Sequence, residues 1–159
     1  MAKTRKTWRE KLADDKGLPK VVEITDKMSK RWGTGTVVIP APKEVDEIMK
    51  KVPRGKLITI NQIRATLAQK HGATIGCPLT TGIFIRIAAE AAEEDLTRGE
   101  TEITPYWRVI RADGSLKEKF PGGVDVQAAH LREEGHTIEP STGKKPPKAK
   151  DFEKALAEV

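Results

Sequence analysis

One cysteine, one tyrosine and three histidines are all that this chain of 159 residues holds of those types. The lone cysteine, Cys77, excludes an intramolecular disulfide, and no Cys/His cluster has zinc-ligand spacing. Aromatic residues make up only 4%. No stretch approaches the ~20 apolar residues of a membrane-spanning helix. The start, MAKTRKTWREKLADDKG, is basic but no apolar run follows it, so it does not read as a secretory signal. A cytoplasmic protein without metal, cofactor or membrane partner is expected.

Charge is what the chain has in abundance. Charged residues make up 33%, and the formal net charge is +6. Residues 1–56 hold 15 Lys/Arg against 8 Asp/Glu, whereas residues 57–159 hold 14 against 15. The positive excess therefore sits in the N-terminal third, as a basic arm or face that includes Lys3, Arg5, Lys6 and Arg9. Such a balance favours a polyanion or an acidic partner and says nothing about fold.

Local patterns predict a mainly helical chain. Thr7 can cap a short helix in which Trp8 and Leu12 share a face, with Gly17 past its end. LPKVVEIT and VVI read as short strands, with the basic cluster KMSKRWGTG between them. PKEVDEIMKKV reads as a helix with its acids early and its lysines late. Thr59 can cap INQIRATLAQKH, which Gly72 ends. A longer helix is expected from about Leu79 to Leu96, its apolar first half well buried. YWRVI and SLKEKF flank Asp113-Gly114, a hairpin signal. VDVQAAHLREEG reads as a further helix, and the Pro/Lys-rich tail PSTGKKPPKAKD as disordered. Two helices with a tight connection, followed by a hairpin, is the order of a winged helix-turn-helix, in which the second helix enters a groove and the wing touches the backbone.

Three segments, in order, carry a family resemblance. VPRGKLITINQI is similar to Val-Pro-x-Gly-x-Val-x-Thr/Ser-Tyr-Gly-x-Ile, TPYWRVIRADGSL to Ile-Pro-Cys-His-Arg-Val-Val-x-x-x-Gly-x-Leu, and HLREEGH to Leu-Leu-x-x-Glu-Gly. From Val52 to about His136 the chain thus resembles the DNA-binding domain of the alkylguanine-DNA alkyltransferases and their non-catalytic relatives, the alkyltransferase-like proteins. That family moves an alkyl group from a flipped-out base to its own cysteine. Here the resemblance sets Tyr106 at the cysteine position and Trp107 at the histidine position. Ile60 matches the tyrosine that helps turn the nucleotide out, and Asn61 the glycine after it. The arginine that fills the gap in the base stack falls on Leu79, Thr80 or Thr81. Glu134 matches the glutamate of the family's relay, and Arg108 the arginine after the histidine. The alkyltransferase-like proteins replace only the cysteine, so this chain departs further than they do.

These departures decide the chemistry. Irreversible alkyl transfer needs a thiolate made by a neighbouring base. A phenol with an ordinary pKa near ~10 and no histidine beside it is a poor substitute. Cys77, in the turn before the recognition helix, reads as a small, partly buried hydrophobe. No alkyltransferase activity is expected. Tyr106 and Trp107 either line a pocket that stacks on an extruded base or fill the void of a lost active site. Glu134 is either a helix-end carboxylate or the acceptor for the Trp107 indole or the Tyr106 phenol.

The expected fold is mainly α with a small β-hairpin wing, a winged helix-turn-helix-like domain of the alkyltransferase type. Residues 1–41 are expected as a basic extension, 42–138 as the DNA-binding domain, and 139–159 as a Pro/Lys-rich tail. The former active site comprises Ile60, Tyr106, Trp107, Arg108 and Glu134. DNA contacts are expected from Asn61, Gln62, Thr80, Thr81 and Arg111, and from Lys117 and Lys119 alternating along the second wing strand. Lys30, Arg31 and Trp32 add cations beside an aromatic, which suit a backbone or a stacked base, or else form a charged surface loop with one anchor. The reading is a monomeric, non-enzymatic alkyltransferase-like protein. Its partners would be double-stranded DNA, damaged or alkylated, and a recruited protein of a repair pathway, with a nucleoid association if DNA is bound. The alternative is a regulatory or protein-interaction module that inherited the fold and no longer senses lesions.

Overall fold

The computed structural model describes residues 7–15 and 17–158. Lys3, Arg5 and Lys6 of the expected basic arm lie outside the described residues. Among the described residues no helix is long and apolar enough to cross a membrane.

Among the described residues the fold is mostly helical, with three small sheets. Helix α1 (Trp8–Ala13) starts where the Thr7 hydroxyl accepts from the Glu10 amide at 3.1 Å. Strand β1 (Lys20–Glu23), helix α2 (Asp26–Trp32) and strand β2 (Thr36–Ile39) follow. Helix α3 (Pro42–Lys50) places Pro42 in its first turn, where a missing N–H costs nothing. Strand β3 (Ile58–Thr59) leads into α4 (Ile60–His71), capped by Thr59 and ended by Gly72 in the left-handed region. Strand β4 (Ile75–Gly76) connects to α5 (Pro78–Thr97). A 3-10 turn (Tyr106–Arg108), strand β5 (Val109–Ile110) and helix α6 (Gly123–Glu133) come next. Strands β6 (Ile138–Glu139) and β7 (Lys148–Ala149) and a 3-10 turn (Phe152–Ala155) complete the described chain.

The main core lies between α1, α3, α4 and α5, with Val45, Met49, Ile63, Leu67, Ile85 and Ala89 fully buried. The small side chains of Ala88, Ala89, Ala91 and Ala92 let neighbouring helices approach α5 closely. From Trp8 the described part of the N-terminal segment packs on this core. Leu12 is buried, and the amides of Trp8 and Arg9 both donate at 2.9 Å to the carboxylate of Glu94 on α5. Burial works against charge on Glu94, but those two amide bonds outweigh it and hold its pKa below the ordinary value.

Strand β2 pairs antiparallel with β1 and parallel with β4. Gly76 is required here, because a Cβ would sit 2.6 Å from the Arg64 carbonyl, and the Arg64 Nε–H donates back to the Gly76 carbonyl at 2.9 Å. The basic cluster, for which a charged surface loop is one of two expectations, is helical as far as Trp32, as α2. The signal was Thr25, whose hydroxyl accepts from the Met28 amide.

Two expectations fail in the C-terminal half for one reason. The Arg111–Ser115 turn closes, with the Arg111 amide donating to the Ser115 carbonyl at 2.9 Å, but no hairpin ladder follows. Strand β5 pairs instead with β3, in parallel. The donors of the expected second strand go elsewhere, Leu116 to the Pro147 carbonyl at 2.9 Å and Lys117 to the Gln127 side chain at 2.7 Å. The partner that wins is the tail, which is not disordered. Ile138, Ala149 and Phe152 bury themselves against Leu57, Ile110, Leu116 and Leu131. Leu57 donates to the Ala155 carbonyl at 2.8 Å and accepts from Ala157 at 2.7 Å. Gly114, at φ +88°, sits under Phe152, whose ring would lie 2.3 Å from any Cβ there.

The apolar first half of α5 was expected to be buried. Thr81, Phe84 and Ile85 are, but Leu79 is 71% exposed and Ile83 51%.

Candidate functional site

The 3-10 turn presents three consecutive side chains to three different surroundings. Its entry is fixed by the Thr104 hydroxyl, which donates to Asp46 at 2.7 Å. Gln127, fully buried on α6, donates to the carbonyls of Trp107 (3.0 Å) and Val109 (2.8 Å). The turn is thus bolted to both α3 and α6.

Tyr106 is 0% exposed. Its hydroxyl donates to the Glu93 carboxylate of α5 at 2.5 Å. Trp107 and Phe120 meet its ring edge-on, each at 5.3 Å between centroids. Burial first, then the Glu93 bond and the charges of Glu93 and Glu90, push the phenol well above tyrosine's ordinary value. Tyr106 is therefore neutral and a donor. Trp107 is half-buried, stacked on His130 at 4.1 Å and 12°.

Glu134, just past α6, collects the other donors. The Trp107 indole N–H reaches it at 2.8 Å, and Arg108 donates to both of its oxygens, from Nε at 2.9 Å and Nη2 at 2.8 Å. Arg108 Nη1 donates to the Val52 carbonyl at 2.7 Å. Burial of Glu134 disfavours its charge, but the bonds from Arg108 and Trp107 prevail and hold its pKa below the ordinary range. Of the two readings of Glu134, the geometry shows the acceptor of the indole, while the phenol turns to Glu93, a residue the sequence reading passed over. His136 lies beside this pair. Burial keeps its pKa low, and its Nε2 is buried with no hydrogen-bond partner.

Beyond Phe120 the surface opens into a cleft of about 380 Å³. One wall is the exposed face of α5, with Leu79, Ile83 and Arg86; the other is the Arg111–Phe120 segment, with Arg111, Lys117 and Lys119. Lys117 is half-buried, its Nζ 5.6 Å from the Phe120 ring centroid. Burial, and then the charges of Arg111 and Lys119, hold its pKa below lysine's ordinary value. Four cations around an apolar floor make a site suited to an anion.

The expected DNA-contacting residues divide. Arg111, Lys117 and Lys119 come together at the cleft, but the two lysines lie in a turn and not on a strand. Thr81 is 0% exposed, and the hydroxyls of Thr80 and Thr81 are both buried, so they face the core and not a groove. Gln62 is also committed inside the fold, accepting from the Thr59 amide at 2.9 Å and donating to the Ala157 carbonyl at 3.0 Å. Asn61 is exposed, 3.4 Å from Arg64 Nη1. Ile60 is partly buried against the core and sits behind Gly82 of α5. Lys30 and Arg31 are exposed and Trp32 partly buried on α2, a helix with no buried residue. Cys77 is a buried small hydrophobe before α5. Ile83 and Arg86 were missed, and Leu79 was named only as one of three positions matching the family's arginine. Their spacing puts them on one helical face, but an apolar face reads as core. Among the described residues no group of three His, Cys, Asp or Glu side chains is placed to hold a metal ion.

Residues 40–136, the span that holds the 3-10 turn, the Arg108–Glu134 pair and the cleft, match the family model of the 6-O-methylguanine DNA methyltransferase DNA-binding domain. No curated protein sequence matches the chain. Among solved structures, S. pombe ATL in complex with DNA is similar at a TM-score of 0.52 and 19% identity, over 74% of this chain and 94% of that one. S. pombe Atl1 in complex with damaged DNA containing O6-carboxymethylguanine is similar at 0.47 and 18%, over the same shares. The first of these likenesses is one of fold. The family match covers more than half of the sequence, and the chain belongs to the 6-O-methylguanine DNA methyltransferase family through its DNA-binding domain.

Proposed function

We propose that this chain is a non-enzymatic, alkyltransferase-like protein that binds duplex DNA and engages damaged or alkylated DNA in order to recruit other factors. The observation that carries the reading is the pairing of a disarmed acceptor position with an intact cationic cleft. At the position matched to the acceptor cysteine stands a buried, neutral tyrosine held by Glu93. Beside it, Arg86, Arg111, Lys117 and Lys119 gather around one opening. Burial, and then the charges of Arg111 and Lys119, lower the Lys117 pKa, and an anionic ligand would offset those charges. In this reading α4, β4 and α5 form the helix-turn-helix. The Arg111–Phe120 segment, braced by the C-terminal strands, takes the place of a hairpin wing. Of the exposed cations on α2, Lys30 and Arg31 would add phosphate contacts.

The family match, to the DNA-binding domain of the 6-O-methylguanine DNA methyltransferases, supports the lesion preference. One observation favours the rival reading, a module that no longer senses lesions: Tyr106 has no exposed surface on which a base could stack. A salt-dependent titration with plain and alkylguanine-containing duplexes separates the two. Tighter binding of the lesion duplex, weakening steeply with salt, supports the proposal. Equal binding leaves a DNA binder blind to lesions, and no binding at low salt leaves an interaction module.

A further inference from the structure

Lys117 is the one lysine among the described residues that is not exposed. It shares the cleft with Ile83 and Phe120, and its Nζ lies 5.6 Å from the Phe120 ring centroid. Its backbone is held firmly. The Lys117 amide donates to Gln127, itself fully buried, and the Leu116 amide donates to the Pro147 carbonyl at 2.9 Å. Lys50 and Lys70 each pair with a carboxylate, at 3.2 and 2.8 Å. Lys117 has no such partner among the described residues. The charges that act on it, Arg111 and Lys119, are both positive.

Each of these features acts on the amine. Apolar neighbours strip hydration from an ammonium ion and adjacent cations repel it, so both favour the neutral form. Burial, and then Arg111 and Lys119, hold the Lys117 pKa below lysine's ordinary value. A neutral amine keeps its lone pair, and a lysine desolvated beside other cations is the arrangement that attacks carbonyl carbon. A lysine that only met phosphate would serve best fully charged and exposed, as Lys119 is.

The surroundings restrict the carbonyl. Arg86, Arg111 and Lys119 around the opening call for anionic groups beside it. Duplex DNA is anionic throughout but offers no aldehyde while its bases are in place. A deoxyribose that has lost its base opens to an aldehyde at C1′, flanked by phosphates. The aromatic residue of the cleft, Phe120, is only 3% exposed and offers little face for a stacked base. The opening therefore suits a sugar without its base.

We infer that Lys117 is a nucleophile that condenses with the C1′ aldehyde of an abasic site in duplex DNA while Arg86, Arg111 and Lys119 hold the flanking phosphates. The inference rests on the DNA-binding reading and names a lesion class for it. The Nζ lone pair forms a bond to C1′, and the carbonyl π pair moves to oxygen. The carbinolamine then loses that oxygen as water, which carries off both amine hydrogens, and a C1′=Nζ imine remains. Nothing is oxidised or reduced, and water reverses the bond. The reversible link holds the protein at the lesion.

The test incubates the full chain at low salt with a duplex holding an abasic site, and separately with its tetrahydrofuran analogue, which has no aldehyde. Sodium cyanoborohydride is added to reduce any imine to a stable amine. A native gel should show both duplexes bound. A denaturing gel should show a covalent complex with the abasic duplex and none with the analogue. Digestion and mass mapping should place the adduct on Lys117. Lys117→Arg, which keeps the positive charge and cannot form an imine, should lose most of the covalent complex. If that variant fails to fold, mapping of the wild-type adduct still decides. A wild type that binds both duplexes without being trapped, an adduct on another residue, or a folded Lys117→Arg trapped as the wild type is, would overturn the nucleophile while DNA binding stands. If the wild type binds neither duplex at low salt, the DNA-binding reading falls and the imine with it.

Discussion

The Tyr106 hydroxyl and the Glu93 carboxylate lie 2.5 Å apart, with the phenol donating. Burial raises the Tyr106 pKa first, and the bond, which exists only while Tyr106 is protonated, raises it further. A raised folded value means that stability from this bond is fully present below the unfolded tyrosine pKa, near ~10, and is lost as pH rises beyond it toward the folded value. Thermal melts from neutral to strongly alkaline pH should show the wild type losing stability above pH ~10, and Tyr106→Phe showing a flatter alkaline limb. At neutral pH the same variant should be less stable by about 1.5–3 kcal/mol, the worth of a hydrogen bond to a charged acceptor. Equal alkaline limbs would mean that the bond contributes nothing.

The Arg108–Glu134 pair gives the opposite dependence. The folded pKa of Glu134 is depressed, so its contribution is complete above the unfolded glutamate value of about 4.3 and is lost as pH falls through the folded value. Glu134→Gln should flatten the acid limb of the stability profile. Arg108→Ala, which strands a buried carboxylate, should cost about 3 kcal/mol by chemical denaturation at neutral pH. An unchanged midpoint would show the pair to be dispensable.

Trp107→Ala should separate a packed site from a base pocket. Trp107 stacks on His130 and donates to Glu134, so truncation should destabilise the fold by about 3 kcal/mol. DNA affinity, read well below the melting temperature, should hold. A variant that melts like the wild type but binds DNA poorly would show that the indole faces a ligand and not the core.

Which parts were legible in the sequence follows from where the deciding interactions lie. Thr59, Gly72 and Pro42 signal helix ends through their own backbone chemistry, and α3 and α4 follow from them. The pairing of β3 with β5 and the clamp of Glu93 on Tyr106 are contacts between distant segments, which no local pattern encodes. The hairpin at Asp113-Gly114 formed its turn but lost its ladder to the tail. The segment PSTGKKPPKAKD misled because Pro and Lys set its composition, whereas Ala149 within it, with Ile138 before it and Phe152 after it, supplies the buried face. Of the site residues carried by the motifs, Trp107 and Arg108 both donate to Glu134, while Tyr106 turns to Glu93. Thr81 and Gln62 could not be sorted from Leu79 and Ile83, because facing inward or outward is set by packing.

The tail should behave as a structural strap. Phe152→Ala, which opens a void over Gly114 and Leu116, should cost about 3–4 kcal/mol in a denaturant melt. A tail that only trails in solvent would give no change, and hydrogen exchange at the Leu57 and Ala157 amides would then be unprotected in the wild type.

The central claim, a repair-family scaffold that binds DNA without performing the transfer, is tested most directly by incubating the full chain with a duplex carrying a labelled alkylguanine at low salt. A native gel should show a complex that dissolves on raising the salt, because phosphate contacts by Lys and Arg dominate it. A denaturing gel of the same sample should show all label still on the DNA, because in the proposed reading the neutral, buried Tyr106 takes the place of the acceptor. Stoichiometric label on the protein, on Cys77 or elsewhere, would contradict the account.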